Sequence, residues 1–236
     1  MSNVTRVGTL AGLKPAKAAL YKKLHADPCA LVLLRLDQSQ VRNYSIFLKE
    51  IDGAPVLFSY FEYAGAGLAE DQARIAADPA TQRWWKECVP CLNPLPRAKR
   101  RGQVWDDMEC VYFYEGACDA TPKQIRRVGT VTGVKLEKEE LYRTLHATPW
   151  PGVKQQIREC GLRNYSIFLK DLGPKLYLFS YFEYVGADFD ADMKEMALDP
   201  TTQRWWKLTD ACQAPLPDAA AKGKIWSDME EVFHTD

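Results

Sequence analysis

The chain says most things twice. Arg6-Val7-Gly8-Thr9 returns as Arg127-Val128-Gly129-Thr130, and Arg42-Asn43-Tyr44-Ser45-Ile46-Phe47-Leu48-Lys49 returns over 163–170. Ser59-Tyr60-Phe61-Glu62-Tyr63 returns over 180–184, and Thr81-Gln82-Arg83-Trp84-Trp85-Lys86 over 202–207. Trp105 and Met108-Glu109 return as Trp226 and Met229-Glu230. Arg6 to Arg127 and Thr81 to Thr202 are both steps of 121, so the halves align without net insertion or deletion. Solenoid repeats have periods of about 20–50 residues. A period this much longer is a domain duplication. The boundary falls in the cluster of Gly, Ala, Asp, Thr and Pro over 116–123. That gives an N-terminal repeat over 1–116 and a C-terminal repeat over 117–236.

Each half reads as an α+β unit. Residues 5–10 form a short strand. Lys14-Pro15 opens a helix with proline in its first turn. Leu20, Tyr21 and Leu24 keep helical spacing, Pro28 interrupts it, and a second stretch runs to about Leu36. Residues 43–49 and 56–63, rich in aromatic and β-branched side chains, are strands joined near Asp52-Gly53. Residues 68–77 and 79–88 are helical, and 103–114 form a last strand. The order β-α-β-β-α-β is the ferredoxin-like arrangement. Helices on one face of such a sheet leave the other face bare. Two sheets in one chain bury both bare faces by facing each other, as an internal pseudo-dimer.

Composition narrows the function. Lys+Arg and Asp+Glu number 31 each, for a net charge of zero. Nucleic-acid affinity comes largely from phosphate neutralisation, and attraction to anionic membranes needs basic clusters, so neither partner is expected. No apolar run approaches the ~20 residues that span a bilayer. The run from Cys29 to Leu34 stops at Arg35. The first residues, Met1-Ser2-Asn3-Val4-Thr5-Arg6, lack the apolar core of a signal peptide. With 7 cysteines, an odd number, the reading is reduced thiols in a cytoplasm rather than a disulfide framework.

Three groups of residues carry chemistry. Tyr21 and His25 share a helix face four residues apart, and Tyr142 and His146 repeat them. Two of the 3 histidines thus hold equivalent positions, and histidine gives and takes protons near neutral pH. The competing reading is a histidine at a helix end in favourable contact with the dipole. Trp84-Trp85 and Trp205-Trp206 follow Gln-Arg and precede Lys. Adjacent helical residues diverge by about 100°, so one of each pair packs in the core while the other lines a pocket. An indole face stacks on the C–H face of a sugar, although core packing alone also explains a tryptophan pair. Tyr44 and Tyr165 lie in strands, where a phenol orients a hydroxyl and where β-propensity alone also places tyrosine. Cys88-x-x-Cys91 has redox spacing, but its second copy is Thr209 and Cys212. No glycine-rich phosphate loop is present.

These motifs together resemble the L-rhamnose mutarotase family: Tyr-x-x-x-His, Asn-Tyr-Ser-Ile-Phe-Leu, Gln-Arg-Trp-Trp-Lys and a final Glu-x-Val-Phe strand. The resemblance covers both halves. It implies a ferredoxin-like fold paired as a dimeric α/β barrel, here within one chain, and leaves further self-association open. It implies interconversion of the α and β anomers of L-rhamnose or a related sugar such as L-fucose. The proton donor then matches His25 and His146. Sugar-binding groups match Tyr21 and Tyr142, Tyr44 and Tyr165, Trp84-Trp85 and Trp205-Trp206. The family's Trp-Pro after the histidine matches Trp150-Pro151, whereas Cys29-Ala30 stands in the first repeat, which makes the C-terminal site the fuller one. Anomer exchange opens and recloses the ring with one proton moved, and it calls for no metal or other cofactor. Rival readings are a non-catalytic sugar-binding protein on the same fold, a ferredoxin-like monooxygenase and a structural dimerisation module.

Overall fold

The chain alternates short helices with long antiparallel strands. In the computed structural model, which describes residues 4–117 and 124–236, β1 (Thr5–Leu13) leads through a 3-10 turn at Pro15–Lys17 into α1 (Ala18–Ala26) and α2 (Ala30–Gln38). The hairpin β2 (Val41–Ile51) and β3 (Ala54–Tyr63) follows, then α3 (Leu68–Ala77), α4 (Pro79–Cys88), β4 (Leu92–Asn93), α5 (Pro96–Arg100), β5 (Asp106–Asp107) and β6 (Glu109–Gly116). The second repeat runs the same course. It comprises β7 (Arg126–Val134), α6 (Glu139–Ala147), α7 (Pro151–Glu159), β8 (Leu162–Leu172), β9 (Lys175–Tyr184), α8 (Phe189–Leu198), α9 (Pro200–Asp210), β10 (Gln213–Ala214), α10 (Pro217–Ala220), β11 (Ser227–Asp228) and β12 (Glu230–Thr235).

Local chemistry explains most of these elements. The β2–β3 hairpin closes on Asp52 (φ 51°) and Gly53 (φ 77°), the left-handed pair that matches the twist of two-residue hairpins. Pro79 and Pro200 start α4 and α9 under aspartate caps, where a missing amide hydrogen costs nothing.

The last strand departs from the sequence reading. The strand expected over 103–114 is two strands on two sheets. Asp106-Asp107 pairs with β1, the Met108 amide donates to the Gly8 carbonyl at 3.0 Å, and from Glu109 the chain pairs with β8. Tyr112 lies opposite Ile167, and Tyr114 opposite Tyr165. In the same way β12 pairs with β2, Phe233 opposite Ile46. The exchange covers the edges of β2 and β8, which would otherwise present unpaired backbone. A strand-forming sequence satisfies either edge equally well, so its pattern names the strand and not its sheet.

Two compact units result, one running to Met108 and adding Glu230–Asp236, the other Glu109–Met229. They therefore do not coincide with the repeats 1–116 and 117–236. Within the expected boundary, residues 118–123 lie outside the described residues. The first sheet has the order β12-β2-β3-β1-β4 and the second β10-β7-β9-β8-β6. In the second unit one apolar cluster joins Val153, Ile157, Leu162, Phe182, Met196 and Trp205. Another joins Tyr112, Val134, Tyr142, Ile167, Leu178 and Cys212. Each fully buried side chain of this size stabilises the fold by about 1.5–3 kcal/mol. The described cysteines are free thiols.

Candidate active site

The start of α9 decides where its tryptophans point. The Asp199 carboxylate accepts from the Thr202 amide at 2.6 Å, and this bond holds its carboxyl below the usual range. From there Thr202, Trp205, Trp206, Thr209 and Asp210 follow at helical spacing of three and four, and all five line one cavity of about 670 Å³. Helical divergence alone sends one tryptophan of the pair inward and the other to the pocket. The cavity-facing stripe instead runs between them, so both rings reach it. Trp205 is 5% exposed and Trp206 is half-buried.

On α6, Tyr142 and His146 stack as their spacing requires, with ring centroids 4.0 Å apart and planes 24° apart. The His146 Nδ1 lies 3.0 Å from the Tyr142 carbonyl oxygen. A carbonyl only accepts, so Nδ1 carries the proton and Nε2 keeps a lone pair. The rings of Tyr112 and Trp205 meet the imidazole edge-on, each at 5.5 Å. Burial pushes its pKa from 6.5 down to about 4, against the opposing pull of the Tyr142 carbonyl. At neutral pH His146 is an uncharged base.

A bulge in β8 brings in Tyr165. Asn164 takes φ 52°, a left-handed conformation that asparagine tolerates better than most residues. The pairing with β9 shifts there. Leu162 and Tyr165, three apart, consequently pack into the same apolar cluster, while the Asn164 amide donates to Glu183 at 3.2 Å. The Tyr165 ring meets Phe182 at 5.4 Å and Tyr112 at 5.6 Å, both edge-on. Burial pushes the Tyr165 phenol up to about 12 and raises Tyr142 and Tyr112 as well. All three phenols keep their protons at neutral pH.

His146, Tyr142, Tyr165, Trp205 and Trp206, five residues expected at the C-terminal site, thus line a single cavity. Trp150 sits one step back. It caps α7 and meets Trp205 edge-on at 5.5 Å, supporting that wall. Tyr112 and Asp210 also line the cavity and were not foreseen. Tyr112 reaches it on the exchanged strand β6, which the sequence reading kept with its own repeat. Asp210 follows the repeated Gln-Arg-Trp-Trp-Lys segment, beyond the identity that drew attention to it. Its carboxyl is raised by burial.

The first unit repeats the frame. Tyr21 and His25 stack at 4.0 Å and 27°, and Nδ1 lies 3.0 Å from the Tyr21 carbonyl. Trp84 and Phe233 meet His25 edge-on at 5.6 Å, and Tyr44 meets Phe233 at 5.5 Å. Burial lowers His25, raises Tyr21 and pushes Tyr44 up to about 12. Trp85 is 40% exposed. Cys29 caps α2 where Trp150 caps α7. Cys88 and Cys91 are buried free thiols, and burial pushes Cys88 up to about 12, the opposite of an activated redox cysteine.

A neutral base, several phenolic donors and two indole faces around one cavity suit proton transfer on a small polyhydroxylated molecule. The profile of the L-rhamnose mutarotase family matches residues 6–114 and again 127–235. The L-rhamnose mutarotase of Lactiplantibacillus plantarum is 32% identical over 111 residues, which cover 47% of this chain and 98% of that protein. That of Bacillus subtilis is 28% identical over 113 residues, 48% of this chain and 100% of the relative. Among solved structures, a putative monooxygenase from Fusobacterium nucleatum superposes with a TM-score of 0.57 at 14% identity, covering 100% of this chain and 96% of its own. Another from Lactobacillus acidophilus gives 0.55 at 10%, covering 98% and 96%. At such identities these two likenesses concern the fold alone.

Proposed function

The chain belongs to the L-rhamnose mutarotase family, and we propose that it interconverts the α and β anomers of a 6-deoxy-L-sugar, L-rhamnose or L-fucose, in the cytoplasm. The observation that carries this reading is the His146 imidazole. Its Nδ1–H is tied to the Tyr142 carbonyl, its Nε2 has no hydrogen-bond partner among the described residues, and it lines a cavity walled by two indoles.

Nε2 takes the proton of the anomeric hydroxyl. The C1–O5 bond breaks, its electron pair goes to O5, and C1 becomes an aldehyde. The imidazolium returns the proton to O5, so the histidine that begins as base ends as donor. Rotation about C1–C2 and the reverse steps give the other anomer. Tyr142 and Tyr165, whose phenols stay protonated, donate hydrogen bonds to the charge growing on O5. Trp205 and Trp206 hold the sugar's apolar face, and exclusion of water strengthens each polar contact. General acid–base catalysis of this kind contributes about 10²–10⁴-fold.

His25, with Tyr21, Tyr44, Trp84 and Trp85, forms a second site of the same design. The C-terminal site is the more active, because Trp150 backs Trp205 there and Cys29 stands at the corresponding place in the first unit. Saturation-transfer NMR of anomeric protons across L-rhamnose, L-fucose and other 6-deoxy-L-sugars tests the reading. Transfer between anomers above the buffer rate is expected for at least one sugar. Buffer-rate exchange throughout the panel would leave a binding protein in its place.

A further inference from the structure

Four polar residues lining the second unit's cavity, Tyr112, Asp190, Asp210 and Gln213, have apolar counterparts 121 positions away, and two of them, Tyr112 and Asp210, bear electrostatically on Tyr142. Tyr112 corresponds to Phe233, and Asp210 to Val89. The rings of the first pair are placed alike. Tyr112 meets His146 at 5.5 Å and 80° and Tyr165 at 5.6 Å and 89°. Phe233 meets His25 at 5.6 Å and 82° and Tyr44 at 5.5 Å and 79°. The difference between the two positions is therefore one oxygen atom. In the second pair a carboxylate stands where the first unit has a valine side chain.

Both polar groups face the cavity that holds His146. Among the described residues, neither the Tyr112 hydroxyl nor the Asp210 carboxylate has a hydrogen-bond or ion-pair partner. Lys224 lines the same cavity but lies 4.0 Å from Asp228. Tyr112 is buried and Asp210 half-buried, so both groups are open to hydroxyl partners from a molecule held in the cavity. Tyr112, Tyr165 and Asp210 all bear electrostatically on Tyr142, which places them around one space.

We infer that Tyr112 and Asp210 form a hydroxyl-reading pole of the second unit's cavity and set which sugar it accepts. The carboxylate accepts from two hydroxyl donors, and the phenol both donates and accepts. Together they recognise adjacent hydroxyls on a neutral sugar. The first unit, with Phe233 and Val89, lacks this pole and discriminates less among hydroxyl patterns. The inference rests on the mutarotase reading for its substrate class.

The test uses the full chain with the first site silenced by His25→Gln. Tyr112→Phe and Asp210→Val each install the residue that the same fold already carries in the first unit, so folding is expected to survive. Anomer exchange gives KM and kcat for L-rhamnose and for its 2-, 3- and 4-deoxy analogues. Tryptophan fluorescence, titrated with L-rhamnose, gives binding without catalysis. Loss of a hydrogen bond to a neutral partner should raise KM for L-rhamnose about three- to tenfold in Tyr112→Phe, and loss of one to a charged partner tenfold or more in Asp210→Val, with kcat within about twofold. For the analogue lacking the hydroxyl that Asp210 holds, Asp210→Val should add nothing further. Unchanged KM, or the same proportional loss with every analogue, overturns the inference while the mutarotase reading stands. Absent exchange with L-rhamnose, L-fucose and the other 6-deoxy-L-sugars, beside variant-weakened L-rhamnose binding, refutes the mutarotase reading and keeps the pole. Absence of both exchange and binding across those sugars refutes both.

Discussion

Acid should disable this site and loosen the fold around it, in a pH window set by His146. The imidazole titrates near 6.5 in an unfolded chain and at about 4 in the folded one. Between those values the unfolded chain binds a proton that the folded chain refuses. The stability conferred by a neutral His146 is therefore fully present above about pH 6.5 and is lost as pH falls towards 4. At about 1.4 kcal/mol per pH unit of separation, the full effect is roughly 3 kcal/mol, and about 2–3 kcal/mol has gone by pH 4.5. His25, also lowered by burial, pushes in the same direction. Urea unfolding at pH 7 and pH 4.5 measures the effect, with His146→Gln as the control that carries no titrating ring there. Wild type should lose about 2–3 kcal/mol more than the variant on acidification. In activity, the acidic limb of kcat/KM should fall near pH 4. A limb between pH 6 and 7, or equal acid losses in the two proteins, would show that the ring is not held neutral by burial.

Two contrasts probe the walls. Trp205, almost fully enclosed and in contact with both His146 and Trp150, should cost about 3–5 kcal/mol of stability in Trp205→Ala. Half-buried Trp206 should cost far less in Trp206→Ala and mainly raise KM, and thermal melts beside exchange kinetics separate the two. Asn164→Ala places a less tolerant residue at φ 52° and removes the bond to Glu183. It should destabilise by about 1–3 kcal/mol in urea and lower kcat through displacement of Tyr165. Loss of stability with kcat intact would separate the bulge from the site.

The sequence makes the elements of this fold legible because each obeys a local rule. Runs rich in aromatic and β-branched residues mark β2 and β3, Asp-Gly marks their turn, and Asp-Pro marks the starts of α4 and α9. It makes five cavity residues legible because they are repeated. The destination of the last strand is hidden, since 103–114 reads as one continuous segment and only the available sheet edges divide it into Asp106–Asp107 and Glu109–Gly116. Tyr112 is lost with that strand. Asp210 is lost for the opposite reason. Identity between halves exposes what both repeats kept, and a residue that distinguishes one cavity from the other lies in the difference. Comparing cavity positions 121 apart for exchanges of polar against apolar side chains recovers both residues, together with Asp190 and Gln213.

The proposed function turns on proton transfer mainly through His146. Anomer exchange measured on wild type, His25→Gln and His146→Gln, each checked for folding by thermal melt, tests it directly. His146→Gln should remove most of the exchange and His25→Gln little of it. Equal losses, or a dominant loss in His25→Gln, would contradict it.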